Sequence, residues 1–179
     1  MGTSRRVLSI DVGATHYAVC AVTFQGGGTL QPCIDYLDSW YLGDVKAVPA
    51  SRLVDRLVER MTGWEFLQTT WQGGPSTILI EQQMRGAHVN VALAFSTYSL
   101  FRVLFPSAET RFVPPLAKFT VASQTYEEAV PKGYQARKRF AIKTANRILQ
   151  DLGLSSLADR CPGQKQDDLA DAFLQAFVE

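Results

Sequence analysis

Hydrophobic and polar positions switch between two periods along the chain, and the switches mark out its elements. Residues 7–10 form a short apolar run closing on Asp11, residues 17–24 a second run rich in β-formers, and residues 30–42 a third extended stretch. Gln25-Gly26-Gly27-Gly28 separates the last two, so the first 42 residues predict an antiparallel three-stranded meander. From Ser51, placed as a helix N-cap, the period lengthens. Leu53, Leu57, Val58, Met61, Trp64 and Leu67 recur at helical spacing until Gly73-Gly74-Pro75 stops them. Residues 77–80 predict a buried strand closing on Glu81, residues 88–105 a helix ended by Pro106, and residues 110–113 a fifth strand stopped by Pro114-Pro115. Helices over 134–152 and 166–178 follow. The order βββαβαβαα predicts the α/β class: a mixed five-stranded sheet with helices on both faces, built as one domain over 1–179.

Composition narrows the class. Of the 179 residues, 46% are hydrophobic and 20% charged, which excludes a disordered or fibrous chain. Cys20, Cys33 and Cys161 are too few and too scattered for a disulfide framework or a zinc site, so a reducing, intracellular compartment is expected. The start of the chain runs straight into the first strand, with no room for a signal peptide, and the apolar-rich stretch 89–105 contains Asn90, Ser96, Thr97, Ser99 and Arg102, so no membrane span is expected. Net charge is only +1, but its distribution is uneven. Residues 131–150 hold Lys132, Arg137, Lys138, Arg139, Lys143 and Arg147 with no acid, leaving −5 on the rest. A basic face on an otherwise acidic chain fits a nucleic-acid binder with an acidic centre, and it also fits a solvated amphipathic helix.

The acids themselves point to chemistry. Asp11 and Glu81 each end a strand, and in open α/β sheets functional groups collect at the carboxyl ends of strands. In Gln166-Asp167-Asp168-Leu169-Ala170-Asp171, helical spacing makes Asp171 a neighbour of both Asp167 and Asp168, and spacing does not choose between those two. Carboxylates gathered in this way repel unless a cation sits among them. Mg²⁺, with Mn²⁺ as a substitute, suits hard oxygen donors, and two such ions about 4 Å apart can stabilise the attacking and leaving oxygens of a phosphodiester. Each acid alone has an ordinary explanation: a helix cap for Asp167 or Asp168, a turn initiator for Asp11 before Gly13, a solvent-facing strand end for Glu81. Those explanations do not account for all of them together.

Three motifs carry a resemblance. Ser9-Ile10-Asp11-Val12-Gly13, Ile78-Leu79-Ile80-Glu81-Gln82-Gln83 with Arg85, and Lys165-Gln166-Asp167-Asp168-Leu169-Ala170-Asp171-Ala172 resemble, in order, the acidic motifs of RuvC-type Holliday junction resolvases. The glutamate motif is most similar to the poxvirus and fungal mitochondrial branch, and the absence of a targeting segment favours the viral side, acting in an infected host cell. The resemblance covers nearly the whole chain. It implies a ribonuclease H-like fold, a homodimer, Mg²⁺-dependent cleavage of four-way DNA junctions, and catalytic, metal-holding acids at Asp11, Glu81, Asp168 and Asp171. Alignment on the D-x-x-D-A pattern selects Asp168 over Asp167. It also implies a functional lysine after the fifth strand, matched here by Lys118, which an ordinary surface lysine would equally explain.

Gln82, Gln83 and Arg85 are placed to meet a DNA backbone, and Lys132, Arg137, Lys138, Arg139 and Lys143 to neutralise phosphates. One set of acids per chain makes one nick. Resolving a four-way junction needs two nicks related by a two-fold axis, so a C₂ homodimer is expected, with helix 89–105 (Phe95, Tyr98, Phe101, Val103, Phe105) as candidate interface or core. Trp64, Phe66 and Trp71 are expected in the core or at that interface, and His16 and His88 lack metal-ligand spacing. Two other functions share some of these features. Asp11-Val12-Gly13-Ala14-Thr15 before a hairpin also resembles the first phosphate motif of actin-like sugar kinases, which need a second domain and leave Asp168 and Asp171 unexplained. A non-catalytic nucleic-acid-binding relative would not need all four acids.

Overall fold

Five strands form one mixed sheet: β1 (Arg5–Asp11), β2 (His16–Gln25), β3 (Gln31–Tyr41), β4 (Thr77–Glu81) and β5 (Glu109–Val113), in the order β3-β2-β1-β4-β5. The computed structural model describes residues 4–26, 31–84 and 86–178. β1, β2 and β3 form the antiparallel meander, whereas β4 lies parallel to β1, and β5 parallel to β4. Parallel neighbours require a crossover. It is supplied by α1 (Ala50–Thr62) and α2 (Glu65–Thr69) before β4, and by α3 (His88–Leu104) before β5. After β5 come α4 (Lys118–Tyr126), α5 (Tyr134–Asp151), α6 (Leu157–Arg160) and α7 (Gln166–Gln175).

Strand parity divides the core in two. Leu8 and Ile10 of β1 and Ile78 and Ile80 of β4 pack with Leu53, Leu57, Leu93 and Phe101 of α1 and α3. Val7 and Leu79 belong to the opposite layer, with Ala145, Leu149, Leu169 and Phe173 of α5 and α7. Because successive strand residues alternate faces, Asp11 and Glu81 share the face of Val7 and Leu79, the side on which α7 lies. Register completes the placement. Ser9 pairs with Leu79 and Ile10 with Ile80, so Asp11 and Glu81 stand side by side one rung further on. At the turn leaving β1, a Cβ on Gly13 would run into the carbonyl oxygen of His16, so only glycine allows the chain to close so tightly beyond Asp11.

The structure differs from the sequence expectations in local ways. Ser51 is not the cap of α1: Pro49 occupies that place at φ −58° and ψ 146°, an extended entry that makes no side-chain capping bond. The long helix expected from residue 51 breaks at Gly63-Trp64, where Trp64 leaves the helix to meet Trp40 edge-on, ring centroids 4.9 Å apart. α4 and the four-residue α6 were not anticipated. The second is held by the Ser156 hydroxyl, which accepts from the Asp159 N–H. α7 ends at Gln175, three residues before the expected end. The expected apolar helix is α3, and it divides its side chains. Phe101 is buried and Tyr98 and Phe105 pack on the core with Trp64, Phe66 and Trp71, while Phe95 and Val103 are 58% and 77% exposed. The cysteines are free. Among the described residues no helix is long and apolar enough to cross a membrane.

Candidate active site

Lys118 is the first residue of α4, brought there by the turn after β5 in which the Ala117 N–H donates to the Pro114 carbonyl. This reverses the chain over the ends of β4 and β5, and the lysine points inward. Its Nζ lies 2.7 Å from Oε1 of Glu81 and 2.5 Å from Oδ2 of Asp171. At 6% exposure it is not a surface lysine.

One ammonium therefore faces a cluster of carboxyls. Burial, reinforced by the neighbouring Glu81 charge, holds the Asp11 carboxyl well above its usual range. Burial also pushes Glu81 upward, but Lys118 and hydrogen bonds from Asp11, Lys118 and Gln83 outweigh it and leave Glu81 below its usual range. Asp171 is raised, burial and the charges of Glu81 and Asp168 exceeding the pull of Lys118. Burial opposes the charge of Lys118, yet Asp171, Glu81 and Asp11 together raise its basicity. Burial first, and the neighbouring carboxylates second, thus raise the proton affinity of Asp11, the carboxyl beside Glu81.

Neighbouring side chains fix these groups. Gln83 Nε2 donates to both the carbonyl and Oε2 of Glu81 at 3.3 Å, and Asn90 in turn donates to Gln83 Oε1 at 3.2 Å. Gln83, expected to face DNA, is therefore turned inward to orient Glu81. Gln175 Nε2 donates to the carbonyls of Ile10 at 3.1 Å and Leu79 at 3.0 Å, tying α7 to both acid-bearing strands. Asn90 and Gln175 escaped the sequence reading. For Gln175 a signal existed: it lies one turn beyond Asp171, on the helix face that carries Asp168 and Asp171.

Asp168 does not join the other three around Lys118. Lys165 holds its carboxylate through contacts of 2.7 and 2.8 Å, and Asp168 acts on the cluster through its charge on Asp171. Asp167 is bonded to Lys138, whose ammonium also lies 4.8 Å from the centre of the Tyr134 ring. Of the two adjacent aspartates, Asp168 is thus the one whose charge reaches Asp171.

The basic segment is less free than its sequence implied. Lys138 is paired with Asp167, and Glu128, just outside the acid-free window, takes Lys143 at 3.2 Å and Arg147 at 2.9 Å. Among the described residues Lys132, Arg137 and Arg139 form no ion pair. Gln82 is exposed at the end of β4, and Arg85 lies outside the described residues. His16 is set against the ring of Tyr41, and His88 begins α3.

As the side chains stand, no group of three or more His, Cys, Asp or Glu among the described residues is arranged to hold a metal ion. The physical reason lies in the two lysines: Lys118 lies between Glu81 and Asp171, and Lys165 draws Asp168 outward. In chemistry and charge the donor set suits a hard divalent cation, with Lys118 supplying the positive charge in its place.

Comparison of the whole fold gives, among its matches, two solved structures of RuvC. Thermus thermophilus RuvC matches 96% of this chain with 93% of its own, at a TM-score of 0.63 and 20% identity. T. thermophilus RuvC in complex with Holliday junction substrate matches 97% of this chain with 91% of its own, at a TM-score of 0.65 and 18% identity. The chain has the ribonuclease H-like fold of RuvC. No family model matches it, and no curated protein matches it by sequence. The mixed sheet with helices on both faces, expected from the element order, is therefore the observed architecture.

Proposed function

We propose that this chain is a metal-dependent endodeoxyribonuclease that resolves four-way DNA junctions by paired cuts, acting as a single nuclease domain within a symmetric homodimer. The observation that carries this reading is the convergence of Glu81 and Asp171 on Lys118, where β1 and β4, two parallel strands, end side by side at Asp11 and Glu81. The fold shared with RuvC, one structure of which holds a Holliday junction substrate, supports the choice of DNA. The Glu81-Gln82-Gln83 motif supports the poxvirus and fungal mitochondrial branch, with an infected cell as the setting.

Asp11, Glu81 and Asp171, with Asp168 beside them, would hold the cation. Bound Mg²⁺ supplies a Lewis acid for a phosphoryl oxygen and lowers the pKa of a water. The protein's own groups do the remaining work. Lys118 leaves the carboxylates and turns its ammonium toward the phosphate oxygens. Gln83 keeps the Glu81 carboxylate oriented, and Gln175 keeps β1 and β4 at a fixed spacing. Arg137, Arg139, Lys132 and Gln82 bind the sugar-phosphate backbone without reading bases.

Incubation with synthetic four-way, three-way and linear duplexes, in Mg²⁺, Mn²⁺ or EDTA, tests the reading. Symmetric paired nicks in the four-way junction, lost in EDTA, are expected; equal cutting of linear duplex would overturn it. Sedimentation should give roughly twice the 19.8 kDa chain mass, with the exposed Phe95 and Val103 of α3 available for a subunit contact. A stable monomer yielding only single nicks would remove the homodimer from the proposal.

A further inference from the structure

Glu81 is oriented by two amides in series, and the second stands outside the acidic cluster. Between β4 and α3 the chain turns at Gly86, whose φ is +99°, and the Ala87 N–H donates to the Met84 carbonyl at 3.2 Å. Asn90, in the first turn of α3, thereby meets Gln83. Charge settles which way both amides point. Gln83 faces the main-chain carbonyl of Glu81 and its carboxylate Oε2, each 3.3 Å away, and two acceptors require its nitrogen. The oxygen of Gln83 is left to Asn90, which must present its own nitrogen, 3.2 Å away. An asparagine so near a helix start is commonly a cap, but the entry to α3 at Ala87 has no side-chain capping bond. The bond to Gln83 is the one side-chain hydrogen bond that Asn90 makes among the described residues.

We infer that Asn90 is a positioning residue of the acidic site: it fixes which end of the Gln83 amide meets Glu81, and so holds that carboxylate ready for a divalent cation. This rests on the metal-dependent nuclease reading and deepens it. Charge separates the role from an ordinary packing contact. Asn90→Asp keeps the shape of the side chain and adds a carboxylate near the cluster, which through space alone would tighten the binding of a cation. Through Gln83 the effect has the opposite sign. A carboxylate only accepts, so positions 81 and 90 then compete for one amide nitrogen, and whenever the amide turns, Glu81 faces an oxygen in place of its donor. Asn90→Ala only frees the amide and should do less.

Calorimetric titration of the DNA-free protein with Mn²⁺ tests the inference. Asn90→Ala should weaken Mn²⁺ binding by about tenfold, the low end for a group that orients a metal ligand, and Asn90→Asp should weaken it further. In a Gln83→Ala background neither change should weaken it again, because the amide through which Asn90 acts is gone. Nicking of four-way junctions in Mg²⁺ should fall in the same order, while Asn90→Ala leaves junction affinity in EDTA within about twofold of the original. An acid in the first turn of a helix is favoured by the helix dipole, and thermal unfolding checks that both variants fold. Mn²⁺ binding by Asn90→Asp that equals or exceeds that of the unaltered protein overturns the inference, and so does an undiminished loss in the Gln83→Ala background. Mn²⁺ binding by the unaltered protein without nicking of any junction overturns the nuclease reading and leaves the role of Asn90 standing. Absence of Mn²⁺ binding overturns both.

Discussion

The ammonium of Lys118 lies 2.5 Å from Oδ2 of Asp171 and 2.7 Å from Oε1 of Glu81. One positive charge serves a cluster with three carboxyls, and burial, reinforced by the neighbouring carboxylates, raises the proton affinity of Asp11 and Asp171.

Asp11→Asn should therefore stabilise the metal-free protein while abolishing its nicking. A carboxyl raised in the native state stabilises fully below its ordinary value of 3.8 and loses that contribution as pH rises through the native value. Glu81, lowered from 4.5, works in the opposite sense: its contribution is present above 4.5 and lost as pH falls through its native value. Thermal unfolding in EDTA at pH 7.5 should show a gain for Asp11→Asn of about 2 to 4 °C, the shift that about 1 kcal/mol produces in a chain of this size. The gain should vanish near pH 4. An equal gain at both pH values would show that repacking, and not charge, is responsible.

Asp167 and Asp168 should part company when each is changed to Asn. The Asp167 pairing with Lys138 holds its carboxyl below and the lysine above their usual ranges, against the opposing effect of burial in each case. The pair thus stabilises between the two ordinary values of 3.8 and 10.5. Asp167→Asn should cost about 1 kcal/mol at neutral pH and keep most nicking. Asp168→Asn should remove nicking with a smaller effect on unfolding. Comparable nicking losses in the two variants would reverse the proposed roles.

Counterion release separates the free cations from the paired ones. Arg137→Gln should flatten the slope of log junction affinity against log salt by about one unit, whereas Lys143→Gln should leave it nearly unchanged. Glu128→Gln frees Lys143 and Arg147 and should steepen the slope. Equal slopes for all three variants would assign DNA binding to another surface.

Gln175→Leu leaves the carbonyls of Ile10 and Leu79 without their side-chain donor in a dry interior. Stability should fall by about 1 to 3 kcal/mol, read from denaturant midpoints. Gln175→Glu should not rescue it, because a carboxylate cannot donate. A Leu variant as stable as the original would show that the two carbonyls find other partners.

Much of this architecture is legible in the chain because two periods rarely mimic each other. Val7, Ser9 and Asp11 against Leu8 and Ile10 already assign faces, and the same parity at Leu79 and Glu81 brings both acids together. What escaped depends on tertiary contacts. Trp64 breaks a continuous helical pattern because Trp40 offers it a better partner than the next helical turn. The Lys-Phe-Thr-Val-Ala-Ser stretch of α4 has too weak a polar-apolar contrast to announce a helix, so the inward aim of Lys118 was invisible. Lys165 was part of a quoted motif, yet nothing in spacing shows that it draws Asp168 away from the cluster. Glu128 lies only a few residues outside an acid-free window, and only the packing of its loop on α5 shows that Lys143 and Arg147 are already paired.

The acids at positions 11, 81 and 171 are separated by most of the chain, and Asp171 is carried by α7, which Gln175 ties to both acid-bearing strands. Residue 171 leaves the ribosome only after the sheet that receives it has been made. A nascent chain therefore does not bring these acids together at any earlier point of its synthesis. The long spacing acts as a timer: stalled chains ending before Gln166 should bind Mg²⁺ weakly and leave junction DNA intact for as long as they are held.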